Sequence, residues 1–508
     1  MIKSRATETG SLRERTLRGV AVTASRGVFT AVLRILTVAI LARILVPEDF
    51  GLVAAVATLQ QIASLFVLRG LGDVIVQKAE VTANDTGTAM TLLVLSGTLC
   101  YAAFWFAADW IEEFLALPGA AVTLRVISLA IPIEALAQVY ISDARRRLRF
   151  ERIALIEAAA SVFGYTMLSI GLALAGAGAW ALVGGVIGVS VIRLIGFAWD
   201  TFRDCRPRFS LQSARRMFSF TALVTIWTVA GHIFYNIDRL ILARLMGAEA
   251  VGYLTNARNF VTMFTEFYAH PVNQVLFPVL SRLQNDRERL LEGYRRAAAF
   301  SALLGMPSAL VVCLIAEPLV AVLLGSQWGP AVPVVQVMGL SIFTTICAIP
   351  SVVFLRGMGQ VSEVVALTIA QAVILIIGLF LVYPYGLQAV AGLSVANQFI
   401  GEYLGTLILG RKLKAPIRQM LAPLRTATLV TLLLAAIWLA LQAADVSTST
   451  YLGAGVFVFL GGAAFLALFF LAPKRFLGRD LQWLHALVIQ EGGKLVNMVH
   501  RRPPLAVL

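Results

Sequence analysis

Apolar runs of roughly 20 residues recur along nearly the whole of this 508-residue chain. Each is long enough to cross about 30 Å of hydrocarbon as a helix. Inside hydrocarbon every backbone amide must be satisfied within the segment, which leaves helices and closed barrels as the only spanning structures. The runs are too long and too continuous for barrel strands. They predict an all-α polytopic membrane protein with about fourteen spans, at 19–44, 50–69, 87–106, 120–142, 153–175, 179–199, 217–245, 251–279, 297–316, 331–354, 361–382, 387–409, 426–443 and 452–471. Composition agrees: 59% of residues are hydrophobic, 14% are charged, and mean hydropathy is +0.83. A soluble chain carries about 25% charged residues, and one soluble core cannot bury this much apolar surface.

The cations report orientation. Thirty-four of the 42 Lys and Arg fall in the N-terminal tail, the C-terminal tail and every second connection: 69–86, 143–152, 200–216, 281–296, 355–360 and 410–425. The alternate connections carry none, although acids occur there, among them Asp109, Glu112, Glu113 and Glu317. By the positive-inside rule both termini are expected in the cytoplasm and the span number is even. The net charge of +14 therefore reflects topology and attraction to anionic membrane lipids. Nucleic acid is not an expected partner. Residues Met1–Arg18 are basic and polar, with no signal-peptide pattern. Four scattered cysteines suggest neither a disulfide framework nor a metal cluster.

An internal repeat divides the chain. Ile40–Gly51 (ILARILVPEDFG) matches Ile241–Gly252 (ILARLMGAEAVG) at a constant offset of 201, with six identities in twelve positions. Each copy ends an odd-numbered span, so the halves are expected to be parallel repeats related by an axis along the membrane normal. The predicted organisation is a cytoplasmic basic tail (1–18), an N-lobe of six spans (19–199), a cytoplasmic linker (200–216), a C-lobe of six spans (217–409), a cytoplasmic loop (410–425), two further spans (426–471) and a cytoplasmic amphipathic tail (472–508). Two-lobe proteins of this kind carry substrates in a central cavity and open it alternately to each side.

Three stretches carry a resemblance. They are Leu41–Ala54 followed by Gly70–Gln77; Arg147–Gly164; and the run from Asn236 through Asn259 followed by Gln274–Gln284. On these the chain resembles polysaccharide-export flippases of the Wzx type, in the superfamily that includes MATE drug exporters and the lipid II flippase. The resemblance implies translocation of an undecaprenyl-pyrophosphate-linked oligosaccharide across the bacterial inner membrane for exopolysaccharide, capsule or O-antigen assembly. It implies a polysaccharide polymerase and export machinery as partners, and no cofactor.

Eight cations remain outside the loops: Arg26, Arg34, Arg43, Arg125, Arg193, Arg239, Arg244 and Arg258. Arg43, Arg193 and Arg244 lie near span ends, where an arginine can snorkel to the surface, and Arg125 can do the same from the start of span 4. Arg26, Arg34, Arg239 and Arg258 lie deeper, where an arginine is costly unless it faces water, a counter-charge or a bundle interior. Polar residues recur beside them at helical spacing. Span 1 carries Thr23, Arg26, Thr30, Arg34 and Thr37; span 7 carries Thr221, Thr225, Thr228, His232, Tyr235, Asn236, Asp238 and Arg239; span 8 carries Asn259, Thr262, Glu266, His270 and Asn273. Guanidinium binds phosphate oxygens bidentately and stays charged, which suits the diphosphate that the resemblance implies. The expected substrate-binding residues are Arg26, Arg34, Arg239 and Arg258 for the diphosphate, with Thr30, Thr37, Asn236 and Tyr235 replacing water around the sugars. The competing reading is structural pairing of these arginines with Asp238, Glu266, Glu134 or Glu157. The same acids, with His270 one turn from Glu266, are candidates for ion coupling.

Other functions fit less well. A MATE-like multidrug or cation antiporter is the alternative, but cationic drugs call for an acidic cavity and arginine dominates this one. A polymerase would need a large extracytoplasmic loop, and the longest here is about 15 residues. A glycosyltransferase would need a soluble domain or an acidic motif. No Gly-rich phosphate loop, nucleophile elbow or metal-ligand spacing occurs, so an enzyme is not expected. Tail segment 479–499 reads as an interfacial amphipathic helix.

Overall fold

A computed structural model describes residues 32–68, 82–201, 207–282, 286–471 and 480–482, without the side chains of 200–201, 216–228, 230, 234–235, 264–282 and 471. The described residues form helices and no strand. In chain order these are α1 (32–44), α2 (Pro47–Leu68), α3 (Ala83–Leu115), α4 (Ala120–Arg146), α5 (Phe150–Leu174), α6 (Trp180–Thr201), α7 (Leu211–Arg282), α8 (Arg287–Leu314), α9 (Ala316–Leu323), α10 (Val332–Gly357), α11 (Val361–Val382), α12 (Leu387–Leu413), α13 (Arg425–Ala443) and α14 (Tyr451–Leu471). Short turns link α12 to α13. Among the described residues ten helical segments are long and apolar enough to cross a membrane, and the protein is a multi-pass membrane protein. They coincide with expected spans 2–6, 9–11, 13 and 14. The other four expected spans fall on α1, the two limbs of α7, and α12.

Local chemistry explains the helix ends. Thr82 caps α3: its hydroxyl accepts from the Asp85 amide at 3.2 Å, and the Asp85 carboxylate accepts from the Thr82 amide at 3.0 Å. α3 was expected to end near residue 106, but it continues to Leu115. Hydropathy marks where a helix leaves the bilayer and not where it stops; no breaker intervenes before Leu117-Pro118-Gly119. The extension carries Glu112, whose carboxylate accepts from the Ala121 amide at 2.7 Å and so caps the start of α4. In α7 the two limbs meet at Gly247, whose φ of 82° and ψ of 178° are open to a glycine alone at no steric cost. The expected connection at 246–250 is thus one hinge residue in an otherwise helical path.

α5 contains π-helical turns at Ala160–Met167. The wider turn coincides with a close approach of α6. A Cβ on Gly164 would lie 2.8 Å from the Gly188 carbonyl oxygen, too near for any side chain there.

The chain divides into two compact units. The first holds the residues through Asn259 with Val320–Ala331 and Ala372–Val390; the second holds Phe260–Leu319, Val332–Gln371 and the residues from Ala391 onward. The parts of the second half that join the first unit, 217–259 and the two inserted pieces Val320–Ala331 and Ala372–Val390, contain or overlap the connections without Lys or Arg at 246–250, 317–330 and 383–386. The first unit is cored by Leu93, Ile131, Tyr140, Ile156 and Phe197 from α3–α6. The second is cored by Leu290, Tyr294, Phe354, Leu409 and Met420, with a further cluster that sets α13 and α14 against α8 through Leu434 and Phe457. Asp480 is tied to α8 by Arg295 at 3.1 Å; the rest of the expected amphipathic tail at 479–499, apart from residues 480–482, lies outside the described residues.

Candidate functional site

Three polar assemblies sit among the apolar helices of the first unit. One joins α1 to α5. Thr37 is fully buried; its hydroxyl donates to the Leu33 carbonyl at 2.7 Å and lies 2.7 Å from the Thr166 hydroxyl. Thr166 belongs to the π-helical turns, and the adjacent Tyr165 lies within electrostatic reach of Arg34. Thr37 and Arg34, the described residues of the polar stripe expected on span 1, therefore lie beside the irregular part of α5, where π-turns commonly mark function. The Arg34 side chain is exposed. Arg26 and Thr30, on the same stripe, lie outside the described residues.

The second assembly spans the two limbs of α7. Arg258 forms an ion pair with Asp238, whose side chain is 1% exposed. The Asp238 carboxylate also accepts from the Arg239 amide at 2.9 Å. Asn236 donates to the His232 carbonyl at 3.0 Å, one turn back. Of the expected diphosphate ligands, Arg258 thus has a buried carboxylate partner. The side chains of Tyr235, Glu266 and His270 lie outside the described residues.

The third assembly was not anticipated in this form. Arg193 does not turn to the surface. Its guanidinium lies 2.8 Å from Glu157 and 3.7 Å from Glu134, and so bridges two acids on α5 and α4. Glu134 also accepts from Ser190 at 3.0 Å. Partly burying three charges is tolerable when they are mutually paired and hydrogen-bonded, and the pairing explains how two carboxylates persist on apolar helices.

Glu134 is also part of the wall of a pocket of about 530 Å³. Gln60, Gln61 and Ser64 from α2, Gln138 from α4 and His232 from α7 supply uncharged polar lining, and Arg145, in the expected cation-rich connection 143–152, lines it as well. Gln60 donates to Ser64 at 2.9 Å. The His232 Nε2 is buried without a hydrogen-bond partner. Uncharged amide, hydroxyl and imidazole groups that line one concave site can exchange water for the hydroxyls of a polyol. Sequence reasoning missed Gln60, Gln61, Ser64 and Gln138. Their signal was present as amides within apolar runs, on helices other than the polar-striped spans 1, 7 and 8.

Residues 40–333, more than half of the chain, match the family described as "Polysaccharide biosynthesis protein". The chain belongs to that family. The protein is similar to the succinoglycan biosynthesis transport protein ExoT of Rhizobium meliloti (strain 1021), with 29% identity over 65% of this chain and 66% of that protein. It is similar also to the lipopolysaccharide biosynthesis protein WzxC of Escherichia coli (strain K12), with 25% identity over 78% of this chain and 85% of that protein. Among solved structures, the lipid II flippase MurJ in an inward closed conformation superposes with a TM-score of 0.67 at 14% identity, over 88% of this chain and 98% of MurJ. That likeness shows a shared fold. The resemblance to Wzx-type flippases drawn from the sequence holds, and the protein is a membrane transporter of polysaccharide biosynthesis.

Proposed function

We propose that this protein moves an undecaprenyl-pyrophosphate-linked oligosaccharide from the cytoplasmic to the outer leaflet of a bacterial inner membrane, with both termini in the cytoplasm. The observation that carries the reading is the polar pocket in the first unit. Apolar helices line about 530 Å³ with amides, a serine and a histidine, together with Arg145 and the already paired Glu134. A sugar needs many hydrogen-bonding partners and no counter-charge, and hydrocarbon offers none. A pocket for cationic drugs would instead present unpaired acids; here Glu134 already has Arg193 and Ser190 as partners.

In this reading the glycan occupies the pocket and the diphosphate is held by arginines, with Arg26, Arg34, Arg239 and Arg258 as its ligands and Thr30, Thr37, Tyr235 and Asn236 beside them. Arg258 reaches the diphosphate only by exchanging Asp238 for it, so cargo arrival loosens the joint between the limbs of α7. Such an exchange supplies a conformational signal for alternating access. Asp238, Glu266, His270, Glu134 and Glu157 are the groups through which an ion gradient would act, and the polymerase and export machinery receive the cargo.

The test is Arg34→Ala expressed from the native locus. Protein in the membrane is measured by immunoblot, surface polysaccharide by composition analysis, and lipid-linked intermediates by extraction. Normal protein with lost polysaccharide and accumulated intermediate is expected. Full export from well-expressed Arg34→Ala overturns the diphosphate assignment.

A further inference from the structure

The second unit holds a pocket of its own. It measures about 500 Å³ and lies where α12 ends and the short turns toward α13 begin, with Leu407, Arg411, Lys414, Ala415, Pro416 and Ile417 in its wall. The connection 410–425 carries five cations and no acid. One of the five is already engaged: Lys412 donates to Glu363 of α11 at 2.6 Å. The other four, Arg411, Lys414, Arg418 and Arg425, are exposed, and their side chains meet no hydrogen-bond or ion-pair partner among the described residues. Of these four, Arg411 and Lys414 line the pocket.

The end of α12 sets both cations in place. Ala415 donates its amide to the Gly410 carbonyl at 2.9 Å, and Lys414 donates its amide to the Arg411 carbonyl at 3.2 Å. This closure puts Lys414 at a φ of 52°, where glycine is usual because it pays no steric cost. Here a lysine occupies that position, and Pro416 follows it in the pocket wall. The carbonyls of Gly410 and Arg411 are satisfied by backbone amides, so the guanidinium and the ammonium keep their donors for a ligand.

α12 also supplies an apolar approach. Ile400, Tyr403, Leu404 and Leu407 recur at three- and four-residue spacing and continue in register into Arg411 and Lys414. Ile400, Tyr403 and Leu404 are exposed, and Leu407 lines the pocket. From Ile400 to Arg411 the helix rises about 16 Å, close to one leaflet of a hydrocarbon core about 30 Å thick. A free phosphate would use the cations alone; a lipid uses the cations and the stripe together.

We propose that this pocket binds one anionic diacyl phospholipid from the leaflet on the side of the loop cations. Its phosphate rests on Arg411 and Lys414, and an acyl chain follows the α12 stripe. Guanidinium holds two phosphate oxygens at once, and the ammonium adds a point charge. Diffuse attraction to an anionic surface needs no cavity; Arg418 and Arg425 supply as much charge outside it. The site is independent of the cargo and of its route.

The full chain is purified in neutral detergent, and native mass spectrometry counts bound phosphatidylglycerol against phosphatidylcholine. One tightly held phosphatidylglycerol is expected before weaker adducts accumulate. Arg411→Gln with Lys414→Gln should weaken that first event about tenfold, whereas Arg418→Gln with Arg425→Gln should change it less than about twofold. Neither pair removes a side-chain bond of the described fold, so thermal unfolding without lipid should match the parent. Leu404→Gln interrupts the stripe, leaves the cations in place, and should weaken binding several-fold. Excess inorganic phosphate should not displace the lipid. Equal losses in the two double variants mean diffuse charge and overturn the site. Displacement by phosphate alone marks a soluble anion as the ligand and overturns the lipid. Tighter binding of undecaprenyl phosphate than of phosphatidylglycerol assigns the pocket to the cargo and overturns it too. Unchanged binding by Leu404→Gln overturns the path of the chain.

Discussion

Removing Asp238 takes away the buried carboxylate that Arg258 holds. The two side chains are 1% and 12% exposed, so neither charge can turn to bulk water without moving the helix that bears it. Breaking such a pair from one side costs about 3–5 kcal/mol, because the surviving charge stays buried. Whole proteins are stable by only about 5–15 kcal/mol, so Asp238→Ala should lower the amount of folded protein severely. The carboxylate also accepts from the Arg239 amide, and that loss is not part of the ion pair. A double-mutant cycle separates the two. Asp238→Ala, Arg258→Ala and the double variant are unfolded in detergent and followed by tryptophan fluorescence. The amide bond is lost with or without Arg258, so it cancels. A coupling of about 2–3 kcal/mol is expected, with the double variant more stable than the sum of the singles predicts. Additivity within about 0.5 kcal/mol would refute the pairing argument. Export by the double variant then decides what Arg258 does. Restored protein without restored export means that the guanidinium serves the cargo; restoration of both means that it serves only the fold.

Two further perturbations test the packing of α4, α5 and α6. Arg193→Leu leaves Glu134 and Glu157 facing each other without their shared cation; membrane protein level on an immunoblot should fall several-fold, and added Glu134→Gln and Glu157→Gln should restore it. Gly164→Ala places a methyl group against the Gly188 backbone, whereas Gly171 has nothing within 4 Å of the added carbon. The first should cost about 1–3 kcal/mol by overpacking, and the second should be neutral or stabilising by up to about 1 kcal/mol; thermal unfolding in detergent compares them, and equal effects would count against the close approach.

Much of the fold was legible in the sequence because its cause is local. A run of apolar residues needs no partner to prefer hydrocarbon, and a helix is the one way for it to satisfy its own amides there. The ten segments found long and apolar enough to span all coincide with expected spans. Helix ends were less legible: α3 runs nine residues past the expected boundary at 106, to Leu115, because hydropathy does not mark a terminus. The candidate site was legible in kind but not in pairing. Arg258 was singled out as a diphosphate ligand and Asp238 was named among the candidate partners of the deep arginines; the structure pairs the two. Arg193 was dismissed to the surface because position along a helix says nothing about the direction in which a side chain points. The pocket amides went unnoticed because each is unremarkable until α2, α4 and α7 bring them to one wall.

By itself the sequence determined that this chain spans a membrane many times, that its connections alternate in charge, and that a motif recurs at an offset of 201. Those properties follow from solvation and from order along the chain. Only the tertiary structure decided that Arg43 reaches the last turn of α9, that Arg244 reaches the last turn of α3, and that Gly51 meets the backbone at Ala248. These contacts join residues some 130 to 280 positions apart. They depend on the rotation of each helix about its axis and on which helices are neighbours, and packing sets both.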